Sequence, residues 1–437
     1  MSDKDINAPF VPARGEVTVS KSMADGRPCP VCGERFVAVM HQQRLVLPTE
    51  FRLPEEFNVV ICSLCGMTYS DVAINPESLT AYYRAETYAF GSEVNASGSM
   101  GKHMPSSCVD VPRLRGVVKQ LLRRFQSRDV RLLDVGCASG ALLTLLEDAG
   151  FTDVQGIDPS LSAISAANRI GHRAWAGVAE DVLATMGMFD VVVFSHVLEH
   201  MSRPREAIER LREVLQPGGI VYAEVPDASR YAEFLVEPFV DFNVEHINHF
   251  SIGHLDELFH ACGFTTAVSG RNDSELTENW PYPTIFGMWQ MLDTPCIGGS
   301  LEPTDNEAFH AEMVRYVSMS RELLARYDQQ IAAKLAGRRR VAVRCLGHRA
   351  WTLLAGTMLR DLDVVAYIDS SPSKQGLTIR GIRITGPDAP LADGVPIVVL
   401  AYNVEAAIVR EYAKSDPERE VITLGRSLPA SQSAATA

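Results

Sequence analysis

No apolar run in the sequence approaches the roughly 18 residues that a bilayer-crossing helix needs, and no charged-then-apolar leader opens the chain. Both absences predict a cytoplasmic protein. Positive charge is also scarce: 41 Lys and Arg stand against 54 Asp and Glu, for a net charge of −13. A surface of that sign excludes a general nucleic-acid or anionic-membrane binder, though not a local basic pocket for a small phosphate ligand. Cysteine is sparse and odd in number, nine in 437 residues, which argues against a disulfide framework. Internal sequence repeats are lacking as well.

What is present is a globular composition, 46% hydrophobic and 22% charged, in a chain long enough for two or three domains. Residues 25–70 hold short β-like runs such as "RFVAVM" and "FNVVIC". A Tyr-, Ser- and Gly-rich stretch follows to about residue 112. From there strands and helices alternate: "RLLDVG", "GALLTLLEDAG", "DVQGIDP", "SAISAANRIG", "DVVVFSHV", "PREAIERLREVL", "GGIVYAEVP". Such alternation predicts a parallel sheet covered by helices. Residues 304–336 read as a helix, and a second, smaller alternating segment runs from "RVAVRCLG" to "EVITLG". The expected domains are therefore 25–112, 113–300 and 301–425, with 426–437 a disordered tail. The fold class is α/β, with a small cysteine-bearing domain before it and a second α/β domain after it.

Four cysteines are paired. "CPVCG" supplies Cys29 and Cys32, and "CSLCG" supplies Cys62 and Cys65. Two CxxC turns, each followed by Gly, direct four thiolates at one ion, which predicts a closed tetrahedral zinc site that holds a fold. A redox pair or reduced core thiols is the alternative. The other five cysteines lack such spacing and read as buried thiols.

"LLDVGCASG" spans 132–140. A strand ending at Asp134 runs into a turn of small residues, Gly136, Ala138, Ser139 and Gly140, which allows close approach of a ligand to the backbone and a helix N-terminus. Asp158 ends the next strand, about 20 residues on, where a ribose-binding acid is expected. The spacing departs from the GxGxxG of dinucleotide enzymes. It resembles the first motif of class I S-adenosylmethionine (SAM)-dependent methyltransferases, with Ala138 in place of the middle Gly. "GVAED" at 177–181, "FDVVVFSHVLEHMSRP" at 189–204 and "LREVLQPGGIVYAEVP" resemble that family's later motifs, in order. The resemblance implies a Rossmann-like core in which Asp134, Gly136, Ser139 and Gly140 receive the methionine end of SAM. It places Asp158 on the ribose, Val178 and Ala179 beside the adenine, and Ser195 and His196 near the sulfonium. Glu199 and His200 of "LEH" read as supports of the fold or cofactor.

The whole chain is similar to the sugar C-methyltransferases of deoxysugar biosynthesis, which combine a double-CxxC zinc domain, a SAM core and a C-terminal Rossmann-like α/β domain. The resemblance rests on "EHINHFS" at 245–251, "YIDSSPSKQG" at 367–376, "YN" at 402–403 and "MGKHM" at 100–104. It implies a nucleotide-linked keto-sugar as small-molecule substrate. His246 would be the base that removes a proton beside the ketone, because an imidazole titrates near neutrality. Glu245 would orient or bind, and Tyr88 or Tyr83 would approach from the N-terminal domain. His103, Asn243 and His249 fall at substrate positions, Asn243 and His249 standing where the family has Tyr. Arg344, His348 and Arg349 are the candidates for a diphosphate. Glu245 and His246 can share a site only if the backbone between them is irregular, since strand neighbours face opposite ways. Three other readings stay open: a sugar or natural-product O-methyltransferase, metal-assisted through Glu245, His246 and His249; a SAM-binding accessory protein without catalysis; and, for His249, a turn residue.

Overall fold

The architecture is that of a computed structural model, which describes residues 21–24, 26–72, 82–83, 111–178, 186–277, 280–293 and 306–426. The N-terminal unit is an antiparallel meander. Strands β1 (Lys21–Met23), β2 (Phe36–Arg44), β3 (Glu56–Cys62) and β4 (Thr68–Asp71) pair in that order. The Cys29–Cys32 turn precedes β2, and the Cys62–Cys65 turn joins β3 to β4, so the two pairs meet at one end of the sheet.

Helix α1 (Val111–Arg124) leads into the central unit, whose elements follow the expected alternation. They are β5 (Arg131–Val135), α2 (Ala141–Asp148), β6 (Asp153–Asp158), α3 (Leu161–Arg169), β7 (Arg173–Ala176), β8 (Phe189–Ser195), α4 (Pro204–Arg210) and β9 (Leu215–Pro226). After a long irregular stretch come β10 (Asn248–His249), α5 (Ile252–Ala261) and the hairpin β11 (Phe264–Thr277) and β12 (Trp280–Met291). The sheet order is β11-β12-β9-β8-β5-β6-β7, parallel from β9 to β7 and antiparallel at β12. This is the class I methyltransferase fold. Val191 to Phe194 of β8 are all buried, as a central strand covered on both faces requires. Each such side chain contributes about 1.5–3 kcal/mol by leaving water. The chain runs outward from β5 through β6 and β7, then returns to β8 on the other side of β5. Ligands of open α/β sheets bind at such a reversal, beyond the carboxyl ends of the strands.

Helix α6 (Glu307–Leu335) buries Phe309, Met313, Val317, Leu323, Tyr327, Ile331 and Leu335, a stripe at helical spacing, and ends in a left-handed residue, Ala336 (φ 49°). It leads to β13 (Arg340–Arg344), α7 (His348–Gly356), β14 (Asp363–Ile368), β15 (Thr378–Ile379), β16 (Ile382–Thr385), β17 (Ile397–Val399), α8 (Glu405–Ser415) and β18 (Val421–Thr423). The third sheet has the order β15-β16-β14-β13-β17-β18, with its own reversal beside β13.

The three units share structure. Strand β10, from inside the central stretch of sequence, pairs antiparallel with β4 and completes the N-terminal sheet. One hydrophobic core joins Phe51 and Val59 of the N-terminal unit, Phe242 and Ile247 of the irregular stretch, Tyr316 of α6 and Trp351 of α7. Among the described residues no helix is long and apolar enough to cross a membrane.

Candidate active site

The turn after β5 is built for close approach. Gly136 (φ 78°) and Gly140 (φ 90°) occupy the left-handed region, as does Ala138 (φ 46°). A Cβ on Gly136 would stand 2.6 Å from Val197 Cγ2, so a side chain there has no room. Asp158 closes the turn: its carboxylate accepts from Ala138 N at 3.0 Å and from Ser160 N at 2.8 Å. Ala138 is exposed and Gly136, Ser139, Asp158 and Val178 are half-buried, so the turn faces an open crevice. Asp134 lies beneath it, and burial pushes its carboxyl up to about 8 against the pull of Arg113.

Arg113 is a residue that sequence reasoning missed. From α1 it reaches the carboxyl end of β8, donates to Ser195 Oγ and pairs with Glu224 at 3.3 Å. "DVPRLRG" carries no motif, and only the folded chain brings this guanidinium to the crevice. His196 (φ 56°) donates its N–H to Glu224 O at 2.8 Å and sets its Nδ1 3.1 Å from Glu199 Oε1.

The "LEH" turn after β8 is tied to the segment around His246. Ile247 N donates to Glu199 O at 2.8 Å, and Asn248 Nδ2 donates to Leu198 O and Met201 O. His200 Nδ1 lies 3.0 Å from both Glu245 O and the Tyr83 hydroxyl. A carbonyl only accepts, so Nδ1 donates to Glu245 O. The His200 and His246 rings meet edge to face at 4.8 Å. Glu199 is 1% exposed, and its Oε1 faces His196 Nδ1 at 3.1 Å and His200 Nε2 at 3.8 Å. Burial works against its charge, but His196 and His200 hold it below the usual carboxylate range. One ligand atom each from Glu199, His200 and His246 lie within 4.8 Å of one another. The sequence made this turn a support; the structure places it against His246.

The backbone at Glu245 and His246 is not a strand, which meets the condition for the two to lie on one side. Asn243 Oδ1 accepts from both Glu245 N and His246 N at 2.8 Å, and its Nδ2 donates to Val240 O. The amide expected to face a substrate is thus turned into the backbone, where it bends the chain. Glu245 accepts from Tyr82 Oη at 2.5 Å and lies 3.8 Å from His348 Nε2, so all three units converge on it. Burial, then the neighbouring imidazoles, hold His246 neutral far below the usual histidine range, so it is a weaker base than the near-neutral imidazole the sequence suggested. His249 is fully buried with its ring against Phe242 and Tyr231, and burial lowers it to about 3. It is not part of the Glu199, His200 and His246 group, so the structure assembles a different trio from the Glu245, His246 and His249 set that spacing suggested.

Of the basic candidates in the C-terminal unit, Arg344 is committed to Glu411 by two hydrogen bonds of 2.9 and 2.7 Å and stacks on Tyr412. Arg349 is buried over Tyr327 and donates to Gly425 O. His348 alone of the three borders Glu245. Tyr88, His103 and Ala179 lie outside the described residues.

The four sulfurs of Cys29, Cys32, Cys62 and Cys65 lie within 4.8 Å of one another, with closest pairs at 3.5 and 3.4 Å. A tetrahedral ion with metal–sulfur bonds of about 2.3 Å sets its sulfurs about 3.8 Å apart, so the donor set fits one.

Residues 101–268 match the family described as "Methyltransferase domain". A ubiquinone biosynthesis O-methyltransferase of Caulobacter sp. (strain K31) is 34% identical over 139 residues, 28% of this chain and 54% of that protein. Its counterpart in Caulobacter vibrioides is 35% identical over 140 residues, with the same coverage. The chain thus spans about half the length of these curated relatives. A solved S-adenosylmethionine dependent methyltransferase from Mesorhizobium loti shares 16% identity, covers 42% of this chain and 98% of its own, and has a TM-score of 0.34. The chain carries a methyltransferase domain of class I fold.

Proposed function

We propose that the protein is a SAM-dependent methyltransferase that methylates a carbon beside the ketone of a nucleotide-linked sugar. The observation that carries the reading is one of placement. The Glu199, His200, Glu245 and His246 group follows β8, at the same carboxyl edge of the central sheet as the turn closed by Asp158. This shared edge supports a reading in which donor and acceptor meet there.

Bound SAM supplies a sulfonium methyl, an electrophile that needs only a correctly placed nucleophile. Gly136, Ser139 and Gly140 would leave room for its backbone-side contacts, Asp158 would take the ribose, and Val178, with Ala179 from outside the described residues, would flank the adenine. Arg113, beside Asp134 and Ser195, suits the methionine carboxylate. On the acceptor side, neutral His246 takes the proton α to the ketone, and the electron pair moves onto the carbonyl oxygen. The carbon of that enolate attacks the methyl, and the sulfonium leaves as a thioether. Tyr83, whose hydroxyl lies 3.0 Å from His200 Nδ1, is the nearby donor for the enolate oxygen. Glu245 orients this side by holding Tyr82 and bordering His348. Cys29, Cys32, Cys62 and Cys65 hold a structural zinc.

Labelled SAM incubated with a panel of nucleotide-linked 4-keto sugars tests this, with the mass and position of label as readout. His246→Asn should keep SAM binding and abolish transfer; full turnover in that variant removes His246 from its role. SAM binding without transfer to any keto-sugar would favour an accessory protein.

A second reading has its own support. His200 Nε2 lies 3.8 Å from Glu199 Oε1, and one ligand atom each from Glu199, His200 and His246 lie within 4.8 Å of one another, a spacing that suits a metal ion. A divalent ion on Glu199, His200 and His246 would form a two-histidine, one-carboxylate site able to chelate a hydroxyl acceptor, and the Caulobacter relatives are named O-methyltransferases. Label on oxygen, with stimulation by added Mg²⁺ or Mn²⁺, would decide for it.

A further inference from the structure

Arg27 stands two residues before Cys29, the first thiol of the cysteine cluster, and takes no part in the chemistry above. Its guanidinium nevertheless gathers three separate segments. Nε donates to Ser70 O at 3.1 Å on β4, and Nη1 donates to Ser202 O at 3.2 Å just past the "LEH" turn. Nη2 donates to Ile247 O and Asn248 Oδ1, both at 2.6 Å, immediately after His246. The plane lies over the Tyr69 ring at 5.2 Å. Every acceptor is a carbonyl or amide oxygen, so the fork reads geometry and not an opposite charge. A lysine ammonium cannot span those directions.

The root of the side chain is equally fixed. Gly26 N and Arg27 N donate to Asp71 Oδ1 at 2.9 and 3.1 Å, and Cys29 lies in a turn closed by Gly33 N on Cys29 O. The second cysteine turn is anchored from outside: Cys65 O accepts from His254 Nε2 of α5 and from Asn306 Nδ2, and His310 of α6 lies 3.3 Å from Gly66 O. The cluster is therefore gripped on one side by the central and C-terminal units, and on the other extends Arg27 into the acceptor segment.

We infer that Arg27 is a positioning residue through which the metal-binding cysteine cluster holds the His246 turn in register with the "LEH" turn. Metal occupancy then governs the acceptor side of the crevice and leaves the donor side alone. The inference rests on the proposed acceptor role of His246, but its structural arm needs no acceptor.

Hydrogen exchange on the full chain reads that arm. In Arg27→Lys, amides 245–250 should exchange at least tenfold faster, while those of β5 and β8 keep wild-type rates. Metal content and SAM dissociation constant should stay within twofold of wild type. Stripping the metal from wild-type protein with a chelator should speed the same amides, and returning Zn²⁺ should slow them again. With an accepted substrate, Arg27→Lys should lower kcat about tenfold or more with a smaller change in KM, and guanidinium ion in the medium should restore rate to Arg27→Ala. Unchanged exchange at 245–250 in Arg27→Lys overturns the inference. So does equal loss at β5 and β8, which marks a general structural residue. Faster exchange in the variant with no response to metal removal overturns the coupling to the cluster. If no keto-sugar is methylated by wild type, the proposed reaction fails while the exchange data still decide the role of Arg27.

Discussion

In the central sheet Asp158 accepts hydrogen bonds from Ala138 N and Ser160 N; in the C-terminal sheet Asp369 accepts them from Leu346 N and Ser371 N. The first turn is pinned by Gly136 N on Ile157 O, the second by Cys345 N on Ile368 O. Both turns use left-handed residues, Gly136 and Ala138 in one and Cys345 (φ 71°) in the other. The same strand-turn-helix device occurs twice, and what differs is the helix that follows. After the first turn come Gly140 and Ala141, and Ala138 stays exposed. After the second come His348, Arg349, Ala350 and Trp351, all buried. Trp351 meets Phe51 of the N-terminal unit edge to face at 5.6 Å, and Trp351 O accepts from Val46 N. One turn stays exposed at Ala138. The other is filled by its own side chains and serves as a wall behind Glu245.

Four experiments bear on that contrast. Trp351→Ala should have the largest effect: a cavity in the filled turn costs about 3–5 kcal/mol, seen as a lower denaturation midpoint, while the protein that remains folded keeps its SAM affinity. Next, Asp158→Asn should weaken SAM binding by about 10- to 100-fold in calorimetry, because it removes the acid facing the crevice. Asp369→Asn should lower stability and leave SAM affinity as it was; equal loss of SAM binding would erase the distinction between the turns.

The two turns should also respond oppositely to pH. Burial lowers His348 to about 4, below its unfolded value near 6.5. The unfolded chain then binds the extra proton, so stability falls as pH drops through that window, by roughly 2 kcal/mol at pH 5. Asp134, pushed up to about 8, keeps a proton that the unfolded chain has lost, so its contribution falls as pH rises from about 4 to 8. His348→Gln should remove the loss of stability on acidification from about 6.5 to 4, and Asp134→Asn the loss as pH rises from about 4 to 8. The smallest pair is Gly136→Ala against Gly347→Ala. The first forces a Cβ into a left-handed residue against Val197 and should cost about 1–2 kcal/mol with loss of SAM affinity. The second has nothing within 4 Å and an ordinary φ, and should change stability by less than about 0.5 kcal/mol.

Much of the donor side is legible in the sequence because its geometry is local. Small residues at 136–140 and an acid about 20 positions on describe one turn and one neighbouring strand, and two CxxC turns each describe themselves. The strands and helices from 131 to 226 follow from the same short-range patterning. The segment around His246 is different, since its ties to Tyr82, His200 and His348 join distant segments. That Asn243 bends the chain and gathers two N–H groups cannot be told from its residue type, which suits a ligand contact equally well. Arg113 reaches Ser195 across 82 positions, and Arg344 meets Glu411 across 67. The alternation of strand side chains set a condition on Glu245 and His246, an irregular backbone, and the structure meets it.

Strand β10 adds a constraint on how the chain comes into being. The N-terminal sheet has its last edge closed by Asn248 and His249, which leave the ribosome about 180 residues after β4. Until then Thr68–Asp71 present an open edge, with unmatched N–H and C=O groups able to recruit a neighbouring chain. A fragment ending before residue 248 keeps that edge for good, so it should associate more readily than a chain that includes β10.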